Sequence, residues 1–298
     1  RVEPIFGLYN PEGYAIDYGR VTENCVAQAQ GVEDKTIDIC LSTEAKKITR
    51  TDDGFEVSVN NGDTIHCKFL VVSAGTYSLH LAQTMGKGKH FSVLPISGSF
   101  YFAPEVLNGK VYTVQNPKLP FAAVHGDPDM TKAGVTRFGP TALMLPVLER
   151  FNSKTALGFM ESFHFSTGTA KTLFHLMKDK DIREFIYKNI GYEIPVHGKK
   201  SFLKEVLKIV PSMKLDDLDF ADHTTGVRPQ LIDEKNAELL MGAAKFSDGD
   251  GVIFNMTPSP GATSAFANAA EDLVTVTKYL GRTIHQESYK DVFQVNAT

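Results

Sequence analysis

The sequence is short of cysteine, of metal-binding spacings and of long apolar runs, and each shortage excludes a class of protein. Cys25, Cys40 and Cys67 are scattered and odd in number, which argues against a disulfide scaffold and suits a reducing compartment. Nine histidines show no HExxH pattern, and no CxxC or Cys/His spacing occurs, so no metal site is expected. No apolar run reaches the ~20 residues needed to cross a bilayer. The chain opens Arg-Val-Glu-Pro, without an initiator methionine or an apolar h-region. No signal peptide is expected, and the opening fits a fragment or a processed chain. "GKGKHF" at 86–91 and "GDGVIF" at 249–254 lack the third glycine of G-x-G-x-x-G and a strand-to-helix setting, and there is no Walker A sequence. A standard pyrophosphate loop is thus missing from the chain. The net charge of −4 gives no basis for broad nucleic-acid binding.

What remains is globular in character. The 298 residues, 42% hydrophobic and 22% charged, suffice for one large or two ordinary domains. Asp17 is placed to cap a helix over about 18–30, with Val21, Cys25 and Ala29 on one face and Gly31 at its end. The runs "TIDICLS", "AKKITRT", "FEVSVNN" and "TIHCKFLVVSAG" read as strands, with Asp53-Gly54 and Asn61-Gly62 as hairpin turns. They predict a small antiparallel meander feeding a buried strand. That strand, "FLVVSAG", is β-branched and stops at small residues, the pattern of a central parallel strand whose end a ligand can approach. An ordinary buried strand followed by a turn fits the pattern as well.

Residues 91–150 read as β-rich and punctuated by Pro and Gly, as in a large curved sheet. In "PFAAVHG", period two puts Phe121, Ala123 and His125 on one face. Two amphipathic helical stretches follow over 169–214, with Leu203, Val206, Leu207 and Val210 as one face and Pro211 as a stop. Between Lys171 and Lys214 stand ten Lys/Arg and five Asp/Glu, a local net of +5 that leaves −9 on the remainder. Such a patch suits an anionic membrane surface, although a solvated helical face is the commoner meaning of a charge run. Near the end of the chain, "AELLMGAA" and "GVIFNMT" flank an Asp-Gly-Asp-Gly turn. "TPSPGATSAFANAAEDL" then leads into a helix with Phe266, Ala269, Leu273 and Val276 at helical spacing and Gly281 beyond it.

"VVSAGTYS", "PISGSFYF", "LPFAAVHGDPD", "RFGPTA", "VRPQ" and "NMTPSPGATS" occur in that order. With these blocks the sequence resembles the FAD-dependent malate:quinone oxidoreductases in their epsilonproteobacterial form, from about Gly13 to Leu280. A wider group that includes the L-2-hydroxyglutarate dehydrogenases and oxidases is similar in "LPF..VH", "GP.A", "R.Q" and "PSP.AT". The resemblance implies a mixed α/β fold. A partial Rossmann-like FAD domain (1–90 and 237–298) would pair with a substrate domain built on a large mixed sheet (91–236, helical insertion near 169–214). The family's N-terminal βαβ unit, which carries the dinucleotide fingerprint, is absent from the sequence given. The implied reaction is oxidation of a 2-hydroxy dicarboxylate, malate to oxaloacetate, with FAD as cofactor and quinone as acceptor. The implied location is the cytoplasmic face of a bacterial inner membrane, or a mitochondrion for a protist source. L-2-hydroxyglutarate oxidation is the nearest alternative, and a cofactor-free binding module or inactive fragment is another.

The resemblance also implies site residues. His125 falls on the family's "VH" position as the catalytic base, a role suited to an imidazole with an ordinary pKa of about 6.5. From spacing alone it reads more readily as a structural histidine in a turn with Asp127. Arg228 in "GVRPQ" is the expected carboxylate clamp, since a guanidinium grips carboxylate by two parallel hydrogen bonds; a surface arginine ahead of a proline turn is the other reading. Gln230 shares its side if the segment is extended. Arg137 is a candidate for a second carboxylate, and Ser99 lies in an "SGS" segment where the family has "SGQ". Ala74 and Gly75 would let backbone approach the nucleotide. Pro260, Gly261, Ala262, Thr263 and Ser264 would present a helix start to the flavin edge that gains negative charge on reduction; a proline-stiffened helix cap is the plainer alternative.

Overall fold

Asp17 turns its carboxylate onto the helix that follows, accepting from the N–H groups of Gly19 at 2.9 Å and Arg20 at 3.2 Å. The helix Tyr18–Gln30 then runs to Gly31, as its start and stop residues predict. In the computed structural model the described residues are 6–116, 119, 123–194, 197–221, 225–240, 242, 244–257 and 261–294. They fall into two compact units. One holds residues 1–39, 97–143 and 176–226, the other 40–96, 144–175 and 227–298.

In the first unit five strands form one sheet, ordered Asp219–Phe220, Tyr101–Pro104, Val135–Gly139, His125–Pro128 and Val111–Tyr112, with antiparallel neighbours. The helices Lys180–Tyr192 and His197–Ile209 supply its cover. Phe202 and Val206 are fully buried with Tyr101, Phe138 and Tyr192, and Leu203, Leu207 and Val210 pack around them. This is the face that the sequence periodicity predicts. Phe202 stacks on Tyr101 at 4.9 Å and meets Tyr192 edge-on at 5.3 Å, within the preferred range for aromatic pairs. The Tyr18–Gln30 helix differs from expectation: none of its residues is buried, so the Val21, Cys25 and Ala29 stripe meets no core.

The second unit contains the expected meander, Ala45–Arg50, Phe55–Val59 and Thr64–Cys67, paired antiparallel through the two predicted turns. The segment "TIDICLS" carries no strand; its alternation meets no pairing partner among the described residues. Leu70–Val72 runs parallel to Val252–Asn255, with Leu70 opposite Val252 and Val72 opposite Phe254. Lys245–Phe246 pairs antiparallel on the other side of Val252–Asn255. The parallel character is therefore as expected, but Leu70–Val72 lies at the edge and Val252–Asn255 at the centre of this sheet among the described residues. Phe91–Ser97, Val227–Asp233 and Glu238–Leu240 lie side by side in another sheet. The β-rich stretch 91–150 is thus divided between sheets instead of forming one. Leu79, Val93, Ile232, Ile253, Phe254 and Met256 are buried to 2% or less. The helices Tyr77–Thr84 and Ala265–Tyr279 complete the arrangement that matters for the site. The mixed α/β class is as expected.

Gly98 shows how tightly the first unit is fitted. A Cβ there would overlap the carbonyl of Thr141 and crowd Pro140. Gly98→Ala is expected to destabilise the protein by about 1–3 kcal/mol, the usual range for overpacking. Urea unfolding would measure the change, and an unaltered midpoint would refute the close fit.

Candidate functional site

Two short strands that run parallel end at the same side of their sheet, and a ligand cleft belongs at such an end. After Val72 the chain turns through Ala74 and Gly75 into the helix Tyr77–Thr84. The Ala74 N–H is taken by Ser78 Oγ at 2.9 Å. Gly75 sits at φ +57° with no atom within 4 Å of where a Cβ would stand, so backbone conformation and not crowding calls for glycine there. After Asn255 the chain leads through Met256 and Thr257 toward Gly261 and the helix Ala265–Tyr279. A cleft of about 690 Å³ lies between these parts. Gly75, Asn255, Gly261, Ala262, Ala265 and Asp272 are among its lining residues.

The residues present fit a cofactor in four respects. The volume lies within the ~300–1,000 Å³ of small-ligand sites. The walls are glycine and alanine where a planar group needs close approach. The Ala265 helix starts without a side-chain cap at Ser264; its Ala265 N–H donates to the Ala262 carbonyl at 3.3 Å, and the next N–H groups of the first turn remain to attract an acceptor or a developing negative charge. Finally, Asn255 Oδ1 is buried without a partner among the described residues. Of the expected cofactor residues, Gly75, Gly261 and Ala262 line the cleft, whereas Ala74, Thr263 and Ser264 do not. Pro260 lies outside the described residues. The expected apolar face of this helix, through Ala269, Leu273 and Val276, lines the cleft instead of packing into a core.

Val227–Asp233 borders the same cleft with Val227 and Pro229. Period two then puts Arg228 and Gln230 together on the other face. The two share a side, as expected, but it is not the cleft side. Arg228 is half-buried, and its guanidinium has no hydrogen bond or ion pair among the described residues. Burial alone pulls its pKa below the ordinary arginine value. A desolvated arginine in that state favours an anion. Gln230 is buried, and its Nε2 donates to the Leu240 carbonyl of the neighbouring strand, so its amide is spent on the sheet.

In the other unit, His125 begins the strand His125–Pro128, opposite Gly139 and Tyr112. Phe121, expected on its face, lies outside the described residues. Only 7% of His125 is exposed, with Tyr112 at 4.9 Å and Phe100 edge-on at 6.1 Å between ring centres. Nδ1 lies 3.1 Å from the Ala123 carbonyl. A carbonyl can only accept, so Nδ1 carries the proton and the lone pair is on Nε2. Burial, with Lys110 nearby, lowers the imidazole pKa to about 4, below the ordinary value that the sequence suggests. His125 is therefore a neutral imidazole at physiological pH.

Asp127, two residues on, is not in a turn with His125. It faces Arg137 across the strand pair and accepts from Nε at 3.0 Å and Nη2 at 3.1 Å. Lys110 Nζ is 3.6 Å from the same carboxylate. That edge of Arg137 is consequently not open to a substrate carboxylate. Ser99 is equally committed: its N–H donates to Thr141 Oγ1 at 2.7 Å and its hydroxyl to Glu193 at 2.8 Å. Thr141 donates to Glu193 at 2.7 Å as well. Glu193, Asn255 and Asp272 are polar groups that the sequence reading did not single out. Asn255 opens the recognised block "NMTPSPGATS" and Asp272 lies in "AAED" shortly after it, and that placement is the signal that points to them.

The sequence profile described as malate:quinone oxidoreductase matches residues 3–294. The malate:quinone oxidoreductase of Helicobacter pylori (strain ATCC 700392 / 26695) is 43% identical over 297 residues, covering 98% of this chain and 66% of that protein. The mitochondrial L-2-hydroxyglutarate dehydrogenase of Nematostella vectensis is 26% identical over 224 residues, 70% of this chain and 45% of that one. Among solved structures, the glycerol-3-phosphate dehydrogenase from Bacillus halodurans complexed with FAD matches 81% of this chain and 39% of its own, at 14% identity and a TM-score of 0.49. The chain spans 61–66% of the length of the curated malate:quinone oxidoreductases it matches.

The buried imidazole has a consequence for stability. Its folded pKa of about 4 lies below the unfolded value of about 6.5. Between these values the unfolded chain binds a proton that the folded chain refuses, so this contribution to stability is lost as pH falls from 6.5 toward 4. Relative to wild type, His125→Gln should lose about 2 kcal/mol less stability between pH 7 and pH 4.5. Urea unfolding of both proteins at the two pH values measures this, and equal losses would mean that His125 titrates like a solvated imidazole.

Proposed function

Because this chain belongs to the malate:quinone oxidoreductase family, we propose that it is a flavoenzyme that oxidises malate to oxaloacetate and delivers the electrons to a quinone. The observation that supports this most is the cleft at the ends of the parallel strands, with Gly75, Gly261, Ala262 and an uncapped helix start in its wall. FAD, when bound, supplies the hydride acceptor. The division into a cofactor part, residues 1–90 and 237–298, and a substrate part, residues 91–236, belongs to the same proposal.

The chain's own residues would do the rest. The first-turn N–H groups of the Ala265 helix hold the cofactor edge that gathers negative charge. His125 takes the hydroxyl proton at Nε2, because its other nitrogen is already protonated and held by Ala123. Arg228, half-buried and without a counter-ion among the described residues, binds a substrate carboxylate. Ser99, Arg137 and Gln230 fall outside the substrate contacts in this reading, because Glu193, Asp127 and the Leu240 carbonyl already engage them. No helix among the described residues is long and apolar enough to cross a membrane. The basic stretch 171–214 is the segment proposed to meet an anionic inner-membrane surface. Similarity to L-2-hydroxyglutarate dehydrogenases keeps 2-hydroxyglutarate as the second substrate to test.

The first test is a visible spectrum. The purified protein should be yellow, and its flavin band should bleach on adding malate. Bleaching by 2-hydroxyglutarate alone would transfer the reading to the related dehydrogenases, and a colourless folded protein would overturn it. The second test concerns roles. His125→Ala should retain flavin and lose at least about 100-fold in turnover, and Arg228→Lys should raise KM for the hydroxy acid more than for the quinone. Near-normal rates or an unchanged KM would remove the respective assignment.

A further inference from the structure

Among the described residues, the cleft wall contains a buried polar atom that the fold leaves unpaired. Asn255 ends the strand Val252–Asn255 and lines the cleft. Its Nδ2 donates to Asp272 Oδ2 at 2.7 Å and lies 3.2 Å from Ser73 Oγ. Asp272 is only 7% exposed and is fixed at Oδ1 by Lys245 Nζ at 3.0 Å. Lys245 is held in turn by Glu271 at 2.7 Å. A carboxylate only accepts, so the amide must turn its NH2 toward Asp272. The opposite flip would set oxygen against oxygen. The Asn255 Oδ1 is thereby aimed away from Asp272, and it is buried without a hydrogen-bond partner among the described residues. Native side chains rarely leave a buried acceptor unpaired, and an unpaired one calls for a missing donor.

We propose that Asn255 is a cofactor-binding residue whose Oδ1 accepts a hydrogen bond from a hydroxyl or N–H of the bound flavin nucleotide. Asp272 and Lys245 are positioning residues that hold the amide in the accepting orientation. This rests on the reading that the cleft holds FAD. The chemistry of the wall also gives the ligand a direction. Gly261 and Ala262 stand at a helix start, which attracts acceptors and negative charge. Asn255 Oδ1 and the Asp272 carboxylate attract donors and repel phosphate. The hydroxyl-bearing chain or the ring N–H therefore lies against Asn255, and the phosphates do not. FAD carries both kinds of donor, on its ribityl chain and at N3 of the ring.

The test is FAD affinity of the purified protein, measured by flavin release on ultrafiltration, with the melting temperature of the flavin-free form alongside. Asn255→Leu keeps the side-chain shape and removes the acceptor. FAD should dissociate about tenfold more readily, alongside a lower flavin-free melting temperature from the lost Nδ2 bond to Asp272. Asp272→Asn, which frees the amide to flip, should give a smaller loss and serves if Asn255→Leu does not fold. Repeating the comparison with 3-methyl-FAD identifies the donor: a penalty that persists assigns a hydroxyl, and one that vanishes assigns N3–H. Unchanged FAD affinity in both variants, or a lower melting temperature alone, would overturn the proposal while the cofactor reading stood. A wild-type protein that takes up no FAD would overturn that reading, and this inference with it.

Discussion

The parallel pairing of Leu70–Val72 with Val252–Asn255 is the constraint on which the cleft depends. Parallel strands start and end together, so two segments about 180 residues apart in sequence reverse direction at one place. One leaves through Ala74-Gly75, the other toward Gly261 and the Ala265 helix. An antiparallel pairing would put these turns at opposite ends of the sheet and leave no shared wall. The pairing is held by burial: Val72, Val252, Ile253 and Phe254 are all core residues. At roughly 1.5–3 kcal/mol for each fully buried aliphatic or aromatic side chain, these few residues offset the cost of ordering two glycine-containing turns beside them.

Burial also decides the chemistry of the charged and titratable groups, and it acts on His125 and Arg228 in different ways. His125 is enclosed by rings, and the cost of desolvating a cation keeps it neutral. A carbonyl at Nδ1 then selects the tautomer. Arg228 remains a cation in partial burial because arginine scarcely deprotonates, so its desolvation is left for an anion to relieve. Arg137 has already met that need within the fold through Asp127. Two arginines that look alike in sequence thus differ by whether a carboxylate stands opposite on the adjacent strand.

The helix caps, the two hairpin turns and the amphipathic face of Leu203, Val206, Leu207 and Val210 were legible because they are local. Each depends on residues within about four positions of one another. The family resemblance was legible for a different reason: its blocks are long and occur in order, and the comparison with malate:quinone oxidoreductases bears it out. Sheet membership was not legible. Residues 91–150 look like one β-rich stretch, yet Phe91–Ser97 and Tyr101–Pro104 enter different sheets, since alternation says which residues share a face but not which strand pairs with which. The exposed stripe of the Tyr18–Gln30 helix makes the same point, because periodicity marks a packing face and cannot supply its partner.

By itself the sequence determined the family, the mixed α/β class, the capped helix that follows Asp17, the two hairpin turns and the helix that follows Ser264. These follow from short-range spacing and from ordered blocks that any register preserves. The tertiary structure decided which polar groups are spent and which are open. It gave Ser99 to Glu193, Arg137 to Asp127 and Gln230 to Leu240, left Arg228 without a counter-ion among the described residues, and turned Asn255 so that its oxygen has no partner there. Such outcomes depend on distances of about 3 Å between residues far apart in the chain, and only the folded packing sets those distances.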